Sequence, residues 1–175
     1  MSSLNRPPVV LIAPVGEPGK RVRLNKLIGV RAAEGQNVAF WGWQRIPSDT
    51  LGADLSGVSQ TRALMTGGGF RSARTRAFYL IFILRTFIAL LRTAPRQVYA
   101  LGLESALPAY LASRIRRRIA YVFDDADRLL LFMSPPQPLR WIIHALERRT
   151  SAASAFHIIP TRQRYDYITD RQMVV

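Results

Sequence analysis

The stretch Pro8 to Trp43, PVVLIAPVGEPGKRVRLNKLIGVRAAEGQNVAFWGW, decides the fold of this chain. Pro8 to Ala13 is a short apolar run rich in β-branched residues, as a buried strand requires. Pro14 to Gly19 alternates proline and glycine with other residues and reads as a turn. Lys20 to Glu34 fits a helix, with Val22, Leu27, Val30 and Ala33 near one face. Gly35 then supplies the residue type that most often closes a helix. Asn37 to Trp43 is a second apolar strand. Strand, turn, helix, glycine and strand make a compact βαβ unit, whose crossover is expected to be right-handed.

The same alternation continues along the chain. Gln44 to Arg74 is rich in Gly, Ser, Thr and Asp and reads as irregular, with Gly67-Gly68-Gly69 as a flexible or tightly turning piece and a short strand near Val58 or Ala63 to Met65. Ala73 to Arg92 is a strongly apolar helix, Gln97 to Leu101 a strand, and Glu104 to Arg116 a helix. Ile119 to Phe123 is a strand that runs into Asp124-Asp125-Ala126-Asp127. Pro138 to Ser151 is a helix, with proline in its first turn where a missing N–H does no harm. Ala155 to Ile159 is a strand, Thr161 to Asp170 a helix, and Met173 to Val175 the start of a further strand. The expected fold is α/β: a Rossmann-like, doubly wound, mostly parallel sheet with helices on both faces, in one domain over residues 1–175. A parallel strand needs neighbours and covering helices on both faces. A chain that stops as a new apolar run begins is therefore expected to be the front half of a longer protein, or one part of a two-chain machine.

Composition narrows the chemistry. Hydrophobic residues make up 49% of the chain, which is globular. There is no cysteine, so disulfides and Cys-based metal or redox sites are excluded. His144 and His157 are the only histidines, which argues against a His-rich metal site. Lys and Arg number 25 against 11 acids, a formal charge of +14. Such a field favours anionic partners: nucleic acid, anionic lipid headgroups or phosphorylated substrates. An Arg-rich coding bias accounts for the same numbers.

Three features can carry chemistry. The loop after the first strand holds Gly16, Gly19, Lys20, Arg21 and Arg23, where backbone can approach a ligand and positive charge can neutralise a phosphate. Its G-x-x-G spacing is neither a dinucleotide fingerprint nor a P-loop. An ordinary βα turn with solvated charges also explains it. Asp124 and Asp127 follow a buried strand, where acids can orient hydroxyls, act as a base or bind a divalent ion. Helix capping is the plainer use. The helix Ala73 to Arg92 is broken by Arg85 and is not an uninterrupted run of about 20 apolar residues. It either packs in the core or lies on anionic lipid, with Arg114 and Arg116 to Arg118 extending the patch. The two histidines read as packed or solvated. Trp41 and Trp43 read as core, with stacking on a sugar or lipid as the alternative.

In the order of its motifs the chain resembles the N-terminal domain of GT-B glycosyltransferases of the family 4-like group. VVLIAPVGEPGKRV is similar to that family's first strand and glycine loop, and RAAEGQNVAFWGWQR to its helix, glycine and second strand. IAYVFDDADRLLL resembles the strand entering its D-x-H-[DE] segment, and LERRTSAASAFHIIPTRQRYDYI the close of its domain. The family's histidine falls on Ala126, the serine opening its last helix on Thr161, and the acid before its last strand is replaced by Ser154-Ala155. The donor contact made by that histidine thus has no counterpart here.

The resemblance implies a domain that binds the sugar acceptor, lipid-linked or polysaccharide. The nucleotide-sugar is a co-substrate held by a second domain or a partner chain. Asp124 and Asp127 would be catalytic, and Gly16, Gly19, Lys20, Arg21, Glu104 and Thr161 would contact substrate or phosphate. It implies no metal and no cofactor, and a place at the cytoplasmic face of the cell membrane. The rival readings are a non-catalytic subunit that recruits a separate catalytic half to a membrane, and a basic nucleic-acid-binding module. The latter has no recognised motif to support it.

Overall fold

The computed structural model describes residues 9–14, 22–51, 56–69, 73–125, 136–167 and 172–174. Seven strands among them form one sheet: β1 (Val9–Ala13), β2 (Val38–Gln44), β3 (Gln60–Thr66), β4 (Gln97–Leu101), β5 (Ala120–Asp124), β6 (Phe156–Ile159) and β7 (Gln172–Val174). Their order is β3-β2-β1-β4-β5-β6-β7. Every pairing is parallel, with Leu11 opposite Phe40 on one side and Tyr99 on the other. Four helices among the described residues cover the sheet: α1 (Val22–Ala33), α2 (Ala73–Thr93), α3 (Leu103–Ile115) and α4 (Gln137–Ala153).

The side chains of each strand alternate between two cores. Leu11, Ala13, Phe40, Tyr99 and Leu101 meet Leu24 and Ile28 of α1 on one face. Val10, Ile12, Trp41, Trp43, Ala100 and Phe123 meet Phe82, Leu90, Leu103 and Ala106 of α2 and α3 on the other. Because both faces are covered, the central strands read as continuous apolar runs rather than alternating ones. That is why β1 and β2 are so plain in the sequence. The α/β, doubly wound arrangement with helices on both faces is the one expected.

The expected boundaries hold to within a residue or two for most elements, and Gly35 N–H closes α1 by donating to Ala32 O at 2.9 Å. Two differ. The short strand expected at Ala63 to Met65 is part of β3, a longer strand of seven residues within the irregular stretch 44–74. Its outer residues are exposed because it lies at the sheet edge, so its apolar signal is weak. The helix expected from Thr161 to Asp170 is, over the described residues, a single 3-10 turn at Arg162–Arg164, after which Tyr165 is extended and the chain bends at Asp166. The reason is that Tyr165 and Tyr167 are both buried. A helix sets residues two apart on nearly opposite sides and would have turned one of them outward.

Candidate functional site

In a doubly wound sheet the chain order reverses at one place, and ligands collect there beyond the carboxyl ends of the strands. Here the reversal lies between β1 and β4. Gly16, Gly19, Lys20 and Arg21, in the loop between β1 and α1, fall outside the described residues, as does Asp127. Arg23 in the first turn of α1 is described, and it is about a third exposed. Its guanidinium NH1 donates to Asp124 Oδ1 at 2.7 Å. Asp124, the last residue of β5, is 1% exposed. Its other oxygen accepts from the Tyr99 hydroxyl at 2.5 Å. Burial first, then the neighbouring Asp124 charge, pushes the Tyr99 hydroxyl far above its usual range, so it stays protonated and donates. Asp124 thus clasps β4, β5 and α1 together and sets the direction of Arg23.

Gly102 opens the turn from β4 into α3. Its φ of +75° suits glycine, and a Cβ there would lie 2.8 Å from Glu104 Oε2. Its N–H donates to Asp124 O at 2.8 Å. Glu104 therefore folds back over Gly102, half-buried, at the same carboxyl edge as Asp124. Thr161 is half-buried beyond β6, in extended backbone, and its side chain makes no capping bond to the short turn that follows. Of the expected site residues that are described, Asp124 and Glu104 come together around the β4–α3 turn, and Thr161 lies on the far side of β5.

A second polar cluster gathers at β6 and the chain that follows it. Asp125 Oδ2 accepts from the Tyr165 hydroxyl at 2.7 Å. His157 stacks on Phe123 with ring centroids 4.3 Å apart, and Tyr165 meets it edge-on at 5.5 Å. Its Nδ1 lies 2.8 Å from Ser151 Oγ, and its Nε2 has no hydrogen-bond partner among the described residues. Burial pushes the imidazole down to about 4. His157 is a packed core residue, as read from the sequence. An unfolded chain carries it near its ordinary value of 6.5. The unfolded state then binds the proton first as pH falls. The stability that neutral His157 supports is fully present above pH 6.5 and is lost as pH falls toward 4. A difference of this size corresponds to about 3 kcal/mol once both states are protonated. Urea midpoints of the wild type are expected to drop steeply between pH 6.5 and 4.5, and His157→Phe to flatten that drop. An unchanged slope in the variant would place the acid sensitivity elsewhere.

A third cluster went unread in the sequence. Arg45, just past β2, donates through Nε to Pro14 O at 3.2 Å and through NH2 to the Tyr79 hydroxyl at 2.7 Å. Its guanidinium lies 4.3 Å from the centre of the Trp43 ring. Trp43 Nε1 donates to Gly67 O at 2.7 Å. Gly68 has φ +93°, and a Cβ there would strike Phe78 at 2.7 Å, which accounts for the glycine run after β3. Trp41 and Trp43 are both buried, so stacking on a free sugar or lipid is replaced by core packing. The only sequence signal for Arg45 was a cation two residues beyond a strand-end tryptophan, a weak one.

Among the described residues no cluster of His, Asp and Glu could hold a metal ion, and no helix is long and apolar enough to cross a membrane. No protein-family model matches the sequence, and no curated protein matches it. Solved structures do. Sucrose-phosphate synthase from Thermosynechococcus elongatus aligns with a TM-score of 0.61 at 10% identity, over 95% of this chain and 87% of that one. A UDP-N-acetylglucosamine 2-epimerase aligns with a TM-score of 0.57 at 15% identity, over 95% of this chain. This chain spans about half, 48%, of the epimerase's length. Identities this low speak to architecture alone. The chain is an α/β Rossmann-like domain that resembles one half of a GT-B fold.

Proposed function

We propose that this chain is the acceptor-binding half of a glycosyltransferase, which passes a sugar from a nucleotide-sugar to a lipid-linked or polysaccharide acceptor. The observation that carries the reading is the Arg23–Asp124–Tyr99 clasp at the point where strand order reverses. It holds a cation, pre-oriented by a buried carboxylate, at the N-terminal turn of α1, where the helix dipole also favours an anion. The fold likeness to two proteins named for sugar phosphate and nucleotide-sugar chemistry agrees with it.

In this reading Lys20, Arg21 and Arg23 neutralise phosphate on the acceptor, and Gly16 and Gly19 let backbone approach it. Asp124 orients Arg23, and Glu104, Asp127 and Thr161 face sugar hydroxyls. Catalysis is positioning and stabilisation of developing charge, with the nucleotide-sugar presented by a second domain or chain.

The test is an amide-resolved NMR titration of the chain with three ligands: a short-chain prenyl-diphosphate sugar, a neutral oligosaccharide and a UDP-sugar. One of the two acceptor types is expected to shift Arg23, Gly102 and Leu103, while the UDP-sugar alone leaves them in place. Arg23→Ala is expected to weaken a phosphate-bearing acceptor on the order of tenfold, the value of one charge-assisted hydrogen bond. If the UDP-sugar alone shifts these amides, the chain is a donor-binding half and the assignment fails.

A further inference from the structure

Among the described residues, nine of the fourteen exposed large apolar side chains lie on α2, α3 and α4, all on one side of the sheet. The three helices form a continuous layer, with α3 packed against both α2 and α4. On α2, Leu80 and Leu84 stand one turn apart, 71% and 57% exposed, while Phe82, Thr86 and Leu90 face inward. On α3, Ile115 points out. On α4, Trp141 is 80% exposed beside Ile142. The same outer face is basic. Arg92, Arg114, Arg140 and Arg149 of these helices are exposed, and Arg116 to Arg118, also exposed, follow α3 directly. The three helices contain two acids: Glu104, tucked over Gly102 at the carboxyl edge, and Glu147, which is buried. None of their acids is fully exposed.

We infer that this outer face docks on a bilayer containing anionic phospholipid. Apolar side chains enter the headgroup boundary, tryptophan is the residue type most at home there, and arginines pair with lipid phosphates. The combination sets this occupant apart from others. A nucleic acid would use the arginines but leave Leu80, Leu84 and Trp141 in water. A second copy of the same face would bring like charges together without an acid to meet them. Helix α2, read from the sequence as either core or lipid-facing, is both: its inner stripe packs against Trp43 and its outer stripe meets lipid. The inference stands whether or not the chain binds a sugar acceptor.

The test uses the full chain, with vesicles of phosphatidylcholine alone or mixed with phosphatidylglycerol, read by flotation and by tryptophan emission. Trp41 and Trp43 are already buried, so an emission change reports Trp141. The chain is expected to float with the anionic vesicles, with a blue shift in emission, and to stay behind with the neutral ones. Arg114→Glu with Arg149→Glu should weaken flotation on the order of tenfold or more. Leu80→Ser with Leu84→Ser and Trp141→Ser should weaken it comparably, while circular dichroism stays that of the wild type. Lys26→Glu with Arg31→Glu, both on α1 across the sheet, makes the same change in net charge away from the layer and should change flotation little. Three results would each overturn the inference: no flotation at low salt, equal loss in the Lys26/Arg31 variant, or a blue shift that follows protein concentration without lipid.

Discussion

Trp43→Ala is expected to destabilise the domain by about 3–5 kcal/mol, the range for deleting a buried large aromatic side chain. The indole is fully buried at the end of β2. It stacks on Phe78 and Phe82 at 6.2 and 5.9 Å and meets Tyr79 edge-on at 5.2 Å. Alanine leaves a cavity that these three α2 rings can close only by moving the helix. It also leaves Gly67 O without its donor and Arg45 without the ring beneath it. Trp43→Phe keeps most of the packing and should cost less than half as much. The measurement is urea unfolding followed by far-ultraviolet circular dichroism, and a loss under about 1 kcal/mol would mean the α2–sheet interface is far more plastic than its packing implies.

Asp124→Ala is expected to cost about 2–3 kcal/mol. Removing one partner of a buried ion pair costs about 3–5 kcal/mol where the stranded charge stays buried. Arg23 is about a third exposed and can turn toward water, which lowers that figure. The Tyr99 hydroxyl, by contrast, has nowhere to turn, and an unsatisfied buried hydroxyl costs about 1–3 kcal/mol. Tyr99→Phe in the Asp124→Ala background should therefore recover part of the loss, a coupling that a double-mutant cycle reads directly. If the two changes add independently, the clasp is not acting as one unit. Asp124→Asn retains an acceptor for Tyr99 but releases the charge that holds Arg23. In the acceptor titration it should weaken binding of a phosphate-bearing ligand more than it lowers stability.

Local signals carried most of the sheet and little of the site. Val9 to Ala13 and Val38 to Trp43 are legible because strands buried on both faces are apolar throughout, a property of a short run of residues. Gly35 marks the end of α1 because closure of a helix is settled within one turn. β3 was half hidden, since an edge strand needs few apolar residues. The stretch from Thr161 was misread because its periodicity is weak, and what decides its form is the pocket around His157.

The contacts that matter at the site join residues distant in sequence. Arg23 and Asp124 are 101 positions apart, and Tyr165 and Asp125 are 40 apart. No local pattern encodes such pairs. They arise only when parallel pairing brings the carboxyl ends of β4, β5 and β6 into line and the helices fix the angle from which each side chain arrives. The outer face of α2, α3 and α4 has the same origin. Each helix alone looks merely apolar, and burial of one stripe against the sheet determines which stripe is left for water or lipid. The run of apolar and polar residues thus determined that this chain folds as a doubly wound sheet, because strand and helix formation respond to neighbours a few positions away. Which acid holds which arginine, and which apolar stripe remains outside, was decided by packing across the whole sheet.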